Sequence, residues 1–405
     1  MATPAPPVVL SQHRPAAAVG TLLALALTAF CFFTTENLPV GLLPSIAHDL
    51  HRSLTATGNL VTAYAVTVAV VSIPLTMVTR HMPRRMLFPL LLGVFVIATW
   101  ASLTVANYWF VFGARVVTAL AQALFWSIGA VTAAGLFPAR VQGRVVSAIF
   151  AGSSMGTVVG VPAGTWLGQQ TSWRVPFAVL GALGLLSCVT IAVLLPSSHP
   201  AENHAAVGSH PSSRRFWLLV ATTTVVITGV FTSYTYVSPF LTEVSGFAPS
   251  SVGPILAVRG VAGVLALLVA GTLVDRRPTL ALVGPVGLLA VALVALYFCG
   301  TAQALAVILM ALFGFAMTLL VTSLQARVML VAPGSSEIAS ATNSSAFNVG
   351  IAGGAFIGGL LLPASGVRGT ALAGGLFALS ALAITVIESR IAARSDAPEH
   401  RPSPA

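Results

Sequence analysis

The sequence predicts an all-α polytopic membrane protein in which twelve transmembrane helices form two similar six-helix bundles. Three observations support this fold class. Of the 405 residues, 57% are hydrophobic and only 7% are charged, whereas a soluble domain carries about 25% charged residues. Twelve apolar runs are long enough to cross a membrane, which takes about 20 residues. A polar segment after the sixth run divides the chain into two halves.

The apolar runs divide evenly between the two halves. Six lie in an N-terminal bundle, residues 19–195, and six lie in a C-terminal bundle, residues 215–388. The first run is too long, and too poorly followed by a cleavage site, to be a signal peptide, so we interpret it as a membrane span. The predicted spans are, in order, 19–43, 56–78, 86–105, 107–135, 143–168, 173–195, 215–241, 250–274, 279–299, 302–331, 337–362 and 368–388.

Arginine placement predicts the orientation of these spans. All 19 basic residues are arginine, since the sequence has no lysine. Cytoplasmic loops carry an excess of basic residues, and an N-terminus inside the cell places fourteen arginines on the cytoplasmic side and three outside. We therefore expect a cell-membrane protein with cytoplasmic tails, 1–18 and 389–405, and a flexible cytoplasmic linker, 196–214. The net charge of +10 then reflects topology, and we expect no nucleic-acid partner.

The sequence shows no pattern typical of a disulfide, a metal site or a catalytic site. Cys31, Cys188 and Cys299 lie in separate apolar segments without ligand spacing, so we interpret them as packing residues and expect neither a disulfide nor a metal site. The sequence contains no Walker loop, catalytic triad or metal-ligand cluster. We therefore expect a protein that is not an enzyme, needs no cofactor and draws its energy from an ion gradient.

The two halves resemble each other at an offset of 195 residues. This offset carries Pro44 onto Pro239 and Gly58 onto Gly253, and it carries Pro138 at the end of span four onto Pro333 at the end of span ten. Two parallel repeats that move around a central site are typical of secondary transporters.

A glycine recurs at every fourth position of spans five and eleven. This spacing lines one face of a helix with glycines, which lets two helix backbones approach closely. The stripes consist of Gly152, Gly156, Gly160, Gly164 and Gly168 in span five, and of Gly350, Gly354 and Gly358 in span eleven.

Four motifs together resemble the twelve-span drug:proton antiporters of the major facilitator superfamily. They are ENLPVGLLPSIAHDL in and after span one, GVPAGTWLGQQTSWR in and after span five, GTLVDRR after span eight and ATNSSAFNVGIAGGAFIGG in span eleven. The resemblance covers nearly the whole membrane region. It implies a monomer that exports small molecules against protons, a helix-packing role for Pro162 within the span-five motif, and a conformational latch formed by Asp275 and Arg276.

The first-half copy of the loop signature departs from the superfamily pattern. It reads TMVTRHMPRR, with Thr79 where the superfamily usually has aspartate, so the latch would rest on Asp275 alone. This form resembles a subgroup that includes chloramphenicol-resistance exporters and sugar-efflux relatives.

Glu36 and Arg115 are charged residues within spans, which are rare and usually functional. Glu36 lies eight residues before Pro44 and Arg115 lies eight residues after Asn107, so both lie about 12 Å below the outer surface. We hypothesise that Glu36 carries the proton, because a dry cavity favours its neutral form and a nearby arginine favours its charged form. The alternative is a permanent Glu36–Arg115 ion pair that joins two helices.

Further polar and aromatic side chains are candidates to line a central cavity for a drug-sized ligand. Arg259 is a third charged residue within a span, and substrate contact, extension to the outer interface and pairing with Glu243 all remain open for it. The other candidates are Tyr64, Gln122, Trp126, Tyr234, Tyr236, Asn343 and Asn348.

The motifs and the cavity candidates favour a proton-coupled exporter of small drug-like molecules, such as antibiotics of the chloramphenicol type. The alternative is a proton-coupled transporter of sugars or other metabolites, in either direction. Sugar sites usually need many amides and acids, and these spans contain few. A receptor or scaffold that has lost transport is a third interpretation.

Overall fold

The computed structural model describes residues 15–79, 81–138, 141–196, 211–333 and 336–395. This part of the chain is built from helices and contains no strand. Eleven continuous helical segments are long and apolar enough to cross a membrane, and the last of them contains two spans. The predicted all-α fold with twelve spans is therefore confirmed. Most of the predicted linker and tails lies outside the described residues.

The N-terminal half contains six spans. A short helix, α2, follows the first span, and a π-helical turn joins α6 to α7 to complete the fifth span. The elements are α1 (Pro15–Gly41), α2 (Leu43–Asp49), α3 (Leu54–Thr79), α4 (Arg84–Thr104), α5 (Tyr108–Ala134), α6 (Gln142–Met155), the π turn (Gly156–Gly160), α7 (Val161–Gln170) and α8 (Arg174–Leu194).

The C-terminal half also contains six spans. Three short helical turns separate the first two of them. The elements are α9 (Ser213–Tyr234), α10 (Val237–Pro239), a π turn (Phe240–Val244), a 3-10 turn (Pro249–Ser251), α11 (Val252–Arg276), α12 (Pro278–Cys299), α13 (Gln303–Leu330) and α14 (Ser336–Ser395).

The 60-residue helix α14 contains the last two spans. Gly366 lies inside it with φ 62° and ψ −177°, a backbone conformation that glycine adopts readily and other residues rarely do. Gly354 packs against Thr228 of α9, and Gly374 packs against Gly229 of the same helix. Residues twenty positions apart thus reach neighbouring residues of one helix, so the chain folds back on itself near Gly366.

Most span boundaries differ from the prediction by a few residues. The seventh span was predicted to continue to 241, but α9 ends at Tyr234 and short helical turns follow. Two further differences have a local cause. The first span was predicted to continue to 43, but α1 ends at Gly41 and a new helix begins at Leu43, with Pro44 in its first turn, where proline is tolerated. The last span was predicted to end at 388, but α14 continues to Ser395. Hydropathy falls at Glu388, whereas the residues after it, among them alanine and arginine, still favour a helix.

Proline shapes the fifth span. Pro162 lies in the first turn of α7, directly after the π turn Gly156–Gly160. Proline has no N–H group and cannot continue the regular hydrogen-bond ladder, and a single π turn is a common way for a helix to absorb such a defect.

Each half has its own apolar core. In the N-terminal half the Phe32 ring packs edge-on against Phe95 with 4.9 Å between centroids, and it also packs against Phe125 at 5.3 Å. The core of the C-terminal half surrounds α9, and Val226 and Ile227 of this helix are fully buried.

The two halves contact each other at one end of the bundle. We call the end at which residues 195 and 213 lie the linker end, and the opposite end, with loop 50–53, the far end. Towards the far end the Thr55 hydroxyl of α3 donates to the Gly359 carbonyl of α14 at 3.0 Å. Gly260 of α11 packs against the Val158 backbone of the fifth span. The apolar core of the C-terminal half also includes Val40 of α1.

The halves are separated at the linker end. The far-end half of the fifth span, formed by the π turn and α7, packs extensively against α11, whereas α6, its linker-end half, packs against α1 and α5. Near the linker end of α11, a Cβ atom at Gly271 would meet no other atom within 4 Å. The space between the halves therefore opens towards the linker end.

Candidate functional site

Glu36 lies near the far end of α1, three residues before Pro39. The helix does not break at Pro39 but continues to Gly41. Because proline has no N–H group, the carbonyl four residues before it, that of Thr35, has no helical partner. The Arg115 guanidinium fills this position and donates to the Thr35 carbonyl at 2.7 Å and to the Glu36 carbonyl at 3.3 Å.

The Glu36 carboxylate is bound by Gln122 of α5. The Gln122 amide nitrogen donates to the carboxylate at 2.8 Å, and the Gln122 amide oxygen accepts from the Tyr64 hydroxyl of α3 at 2.7 Å. Tyr64 and Gln122 are both buried, at 1% and 2% exposure. A single chain of hydrogen bonds thus joins three helices and ends on the carboxylate.

Arg115 does not form an ion pair with the Glu36 carboxylate. The described residues contain three ion pairs with a nitrogen–oxygen distance within 4.0 Å, and none of them joins these two side chains. The Arg115 guanidinium instead lies over the Tyr64 ring, 4.5 Å from its centroid. The alternative of a permanent ion pair is therefore wrong in this structure, because the guanidinium is engaged by main-chain carbonyls and an aromatic face.

Arg259 of α11 occupies the corresponding region of the C-terminal half. Its guanidinium lies 4.2 Å from the Tyr234 ring centroid and 5.2 Å from that of Phe313, and it donates to the Tyr234 hydroxyl at 3.3 Å. No ion pair joins it to Glu243, although both residues are described. Of the three roles left open for Arg259, the pairing with Glu243 is therefore absent.

The Arg259 side chain points into the bundle. Residues one turn away on the same helical face, Leu256 and Gly263, are buried, whereas Val258 and Val261 on other faces are exposed. Arg259 itself is partly exposed. An exposed fraction on an otherwise buried face means that the side chain borders the space inside the protein rather than the lipid.

The remaining cavity candidates fall at several different places. Trp126 stacks on Phe150 of α6 with 5.9 Å between centroids. The Tyr236 hydroxyl donates to the Ala355 carbonyl at 2.9 Å, and its ring packs against Gly58, so Tyr236 belongs to the contact between the halves. None of these aromatic residues takes part in the hydrogen-bond chain that ends at Glu36.

The two asparagines of span eleven are not brought together. Asn343 accepts from the Thr223 hydroxyl at 2.7 Å and donates to Gln325 at 3.2 Å. Asn348 donates to the Ser344 carbonyl one turn away and to no other described residue. Asn343 thus serves a polar network between α9, α13 and α14, and sequence reasoning missed Thr223 and Gln325 as its partners.

The glycine stripe of span five packs against α1. Gly152 lies against the Ala26 backbone, and Gly156 and Gly160 lie against Thr34. Further along, Gly164 lies against Leu38 of α1, and Gly168 lies against Leu42 between α1 and α2. The stripe therefore holds α1 in close contact with span five beside Glu36.

The two predicted latch residues lie at the linker end of α11. The side chain of Asp275 lies outside the described part of the structure. Arg276 lies in the last turn of α11 and is exposed.

Two of the family-like motifs meet at the far end. Arg174 forms an ion pair with Asp49 at 2.8 Å, and the Trp173 indole donates to the same carboxylate at 3.1 Å. The hydrogen bond from Arg174 holds the pKa of the Asp49 carboxyl below its usual value. This contact joins α2 to the beginning of α8.

Sequence reasoning missed a buried charge cluster at the linker end. The Glu388 carboxylate is fully buried and pairs with Arg215 at 3.0 Å and with Arg327 at 3.4 Å. From the sequence, both arginines count only as topology signals. The position of Glu388, as the one acidic residue of the last predicted span, is the signal that could have indicated the cluster.

Comparison with known proteins places this architecture among transporters. The family model described as "Major Facilitator Superfamily" matches residues 25–342. The "Uncharacterized MFS-type transporter YtbD" of Bacillus subtilis (strain 168) is 34% identical over 374 residues, which cover 91% of this chain and 94% of that protein.

Solved structures share the fold. A bacterial homolog to the human lysosomal transporter Spinster, inward-facing and unoccupied, superposes with a TM-score of 0.74 at 17% identity, and the match covers 97% of this chain and 100% of that one. The human organic anion transporter MFSD10 (TETRAN) superposes with a TM-score of 0.67 at 15% identity, covering 91% of this chain and 98% of that one. At these identities the likeness shows the fold alone.

Proposed function

The chain belongs to the major facilitator superfamily, and from this premise we propose that it is a proton-coupled antiporter that exports small drug-like molecules, with Glu36 as the proton carrier. Membership makes it a multi-pass membrane transporter. One observation carries the rest of the proposal. The Glu36 carboxylate lies within a span, receives a hydrogen bond from Gln122 and has no ion pair with Arg115, so proton binding need not break a salt bridge.

The hydrogen-bond chain responds to the protonation of Glu36. A charged carboxylate only accepts hydrogen bonds, so Gln122 must present its nitrogen to Glu36 and its oxygen to the Tyr64 hydroxyl, as observed. A protonated Glu36 still accepts through its carbonyl oxygen but is also a donor. If Gln122 keeps its orientation, the new Glu36 O–H finds no acceptor in the chain, and if Gln122 turns its amide to accept that proton, the Tyr64 hydroxyl loses its acceptor. A buried donor left without a partner costs about 1–3 kcal/mol.

This cost couples proton binding to a change of conformation. The observed arrangement of α1, α3 and α5 satisfies the charged form of Glu36 and leaves the neutral form one acceptor short. Protonation therefore favours a different arrangement of the three helices. If the linker end is cytoplasmic, as arginine placement predicts, the observed conformation is the inward-facing one, and proton loading from outside belongs to the other conformation.

The C-terminal half supplies the best candidate for substrate contact. Arg259, Tyr234 and Phe313 form a cationic and aromatic surface within the bundle, in which the Tyr234 and Phe313 rings stack at 5.9 Å. Flat aromatic faces with few hydrogen-bonding groups suit a moderately apolar, drug-sized molecule better than a polyhydroxylated sugar. The chloramphenicol type remains an expectation from the sequence resemblance.

A drug-susceptibility panel in an efflux-deficient bacterial host tests the proposal. Expression of the protein is expected to raise the inhibitory concentration of at least one compound, and Glu36→Gln is expected to abolish this protection. Glu243→Gln is the matched control, because Glu243 is exposed and lies outside the hydrogen-bond chain.

Reconstituted protein then tests the coupling. Adding the exported compound to proteoliposomes that contain a pH-sensitive dye is expected to change the internal pH with the wild type and not with Glu36→Gln. A Glu36→Gln protein that exchanges protons for the compound at the wild-type rate would overturn the assignment of Glu36. Protection against no compound, together with a pH change on addition of a sugar, would favour the metabolite transporter instead.

A further inference from the structure

We propose that the exported molecule is an organic anion whose acidic group, a carboxylate or a sulfonate, binds the guanidinium of Arg259. This substrate class rests on the proposed export function and adds the charge of the substrate to it. Three features of Arg259 point to such a ligand: its depth within α11, the lack of an acid beside it among the described residues, and the accessibility of one terminal nitrogen.

Arg259 lies where the space between the two halves ends. It follows Ser251, the residue that precedes α11, by eight positions and so lies about 12 Å along the helix. Its neighbour Gly260 packs against Thr157 of the fifth span, whereas a Cβ atom at Gly271, nearer the linker end, would meet no other atom within 4 Å. A molecule that enters from the linker end would therefore meet Arg259 at the base of this space.

No acidic side chain among the described residues neutralises Arg259. Asp49 and Glu388 pair with other arginines, and Glu243 forms no ion pair. Glu36 belongs to the N-terminal half, where its carboxylate accepts a hydrogen bond from α5. A charged side chain within a span usually pairs with a group of opposite charge or marks a substrate path. Without an acid of its own, Arg259 can take its counter-charge from the substrate.

Two aromatic rings fix the position of the guanidinium. Nη1 of Arg259 donates to the Tyr234 hydroxyl at 3.3 Å, and the guanidinium carbon lies 4.2 Å from the Tyr234 ring centroid and 5.2 Å from that of Phe313. Tyr234 and Phe313 are themselves buried, at 4% and 1% exposure. The rings therefore hold the cation in one place, which lowers the entropy that a ligand must remove on binding.

The terminal nitrogens of Arg259 are placed to bind an acidic group. Nε is enclosed and Nη1 is bonded to Tyr234, whereas Nη2 is bonded to no described residue and is not enclosed. The side chain as a whole is partly exposed on a face of α11 that is otherwise buried. Guanidinium groups bind carboxylates through charge-assisted hydrogen bonds, often from two nitrogens at once. A carboxylate that accepts from Nη2 can also accept from the second N–H group of Nη1.

The surroundings of Arg259 indicate the rest of the ligand. Phe231 packs edge-on against Tyr234 with 5.7 Å between centroids, and Met310 belongs to the same apolar core. One guanidinium balances one negative charge, whereas a dianion such as a phosphate monoester would retain a charge in apolar surroundings, which is unfavourable. These residues therefore favour a monoanion attached to an apolar framework.

Ligand binding to the full-length protein in detergent tests the preference for a negative charge. Benzoate, 2-naphthoate and 9-anthracenecarboxylate are each compared with the carboxamide of the same ring, which is neutral and similar in shape. Isothermal titration calorimetry of the wild type is expected to show at least one carboxylate that binds about tenfold or more tightly than its amide, because of the charge-assisted hydrogen bonds. Equal affinities within every pair, or binding of none of the carboxylates, would overturn the proposal.

Substitutions of Arg259 locate the site. Arg259→Gln is expected to bring the affinities for carboxylate and amide within about threefold of each other, whereas Arg259→Lys, which keeps the charge, should retain part of the preference. Arg259→Met, which suits the apolar surroundings, provides the same test if Arg259→Gln does not fold. Arg52→Gln is the charge-matched control, because Arg52 also lies over a tyrosine ring, that of Tyr108 at 5.5 Å, but is exposed at the far end. An unchanged preference without the Arg259 charge, or an equal loss in Arg52→Gln, would overturn the assignment.

Glu36→Gln separates the substrate class from the proton coupling. Because Glu36 lies in the other half, this variant is expected to keep the carboxylate preference in the binding assay while it loses proton exchange in proteoliposomes. An Arg259-dependent preference in a wild-type protein that exchanges no protons would support the substrate class and overturn the antiport. Proton exchange for a neutral compound, without any preference for carboxylates, would overturn the substrate class alone.

Discussion

The contact between Arg115 and the backbone carbonyl freed by Pro39 yields a quantitative prediction. Arg115 donates to the Thr35 carbonyl at 2.7 Å, and that carbonyl lacks a helical partner because residue 39 is proline. Pro39→Ala restores an N–H group that can pair with the carbonyl. Removal of Arg115 should therefore cost less in the Pro39→Ala background than in the wild type.

The size of the coupling between the two substitutions follows from the Thr35 carbonyl. In the wild-type background, Arg115→Gln loses charge-assisted hydrogen bonds worth about 1.5–3 kcal/mol each and leaves the Thr35 carbonyl unpaired, at a cost of about 1–3 kcal/mol. The second cost disappears in the Pro39→Ala background, where the substituted residue supplies the missing N–H group. The loss of the cation beside Glu36 is common to both backgrounds and cancels. We expect a coupling free energy of about 1–2 kcal/mol between the two substitutions.

A double-mutant cycle measures this coupling. The free energies of unfolding of the wild type, Arg115→Gln, Pro39→Ala and the double variant are obtained from denaturant titration in one detergent. Additive effects, within about 0.5 kcal/mol, would show that Arg115 does not serve as the partner of the freed carbonyl and would refute the reasoning.

Three further predictions concern stability. The hydrogen bond from Arg174 lowers the pKa of Asp49 in the folded state, so the Asp49 carboxylate stabilises the fold above its unfolded-state pKa of about 3.9, and this stabilisation is lost as pH falls through the folded-state pKa. Because the pair with Arg174 is partly exposed, Asp49→Asn should remove this pH dependence at a cost of under about 1 kcal/mol. Thermal unfolding between pH 3 and 6 measures the effect. Gly152→Ala, which would press a methyl group into the backbone of α1, should cost about 1–3 kcal/mol, whereas Gly113→Ala, with nothing within 4 Å of a Cβ atom, should not destabilise the protein in the same unfolding assay. Glu388→Gln should destabilise by about 3–5 kcal/mol by leaving its two arginines without an acid, and a wild-type melting temperature for this variant would contradict the buried pairing.

The spans were predictable because a membrane imposes length and polarity on the sequence. Apolar runs of about 20 residues and a polar linker are one-dimensional signals. The break between α1 and α2 and the extension of α14 were not predictable from hydropathy, because each depends on local backbone chemistry. The fold-back of α14 at Gly366 depends on the positive φ angle of this residue, which a hydropathy scan does not detect.

The depth of the site residues in the membrane was predictable from the sequence, but their hydrogen-bond partners were not. Counting residues along antiparallel spans placed Glu36 and Arg115 at the same level, and the structure does bring them together. Depth cannot decide which atoms meet. Gln122 lies between the carboxylate and Tyr64, and the guanidinium turns to backbone carbonyls. The sequence contained a relevant signal in Pro39, since a proline within a helix always frees a carbonyl four residues earlier.

The repeat explains why the two arginines within spans differ. At the offset of 195, Tyr64 corresponds to Arg259, whereas Arg115 corresponds to Met310. Both halves place a guanidinium over a tyrosine ring, at 4.5 Å and 4.2 Å, but from different helices. In the N-terminal half the guanidinium also binds two carbonyls, and a carboxylate lies nearby.

In the C-terminal half the guanidinium of Arg259 donates only to a tyrosine hydroxyl within the described residues. The Nε–H groups of Arg115 and Arg259 are both buried without a partner, so the difference between the two arginines lies in their terminal nitrogens. Those of Arg115 donate to the backbone of α1, whereas Arg259 has terminal N–H groups left for a ligand. Under the proposed function, the proton binds to one half and the substrate contacts the other. The two halves meet at the far end and separate at the linker end, so a movement of one half against the other changes the distance between the proton site and the substrate site. Alternating access requires such a movement to exchange a proton for a substrate.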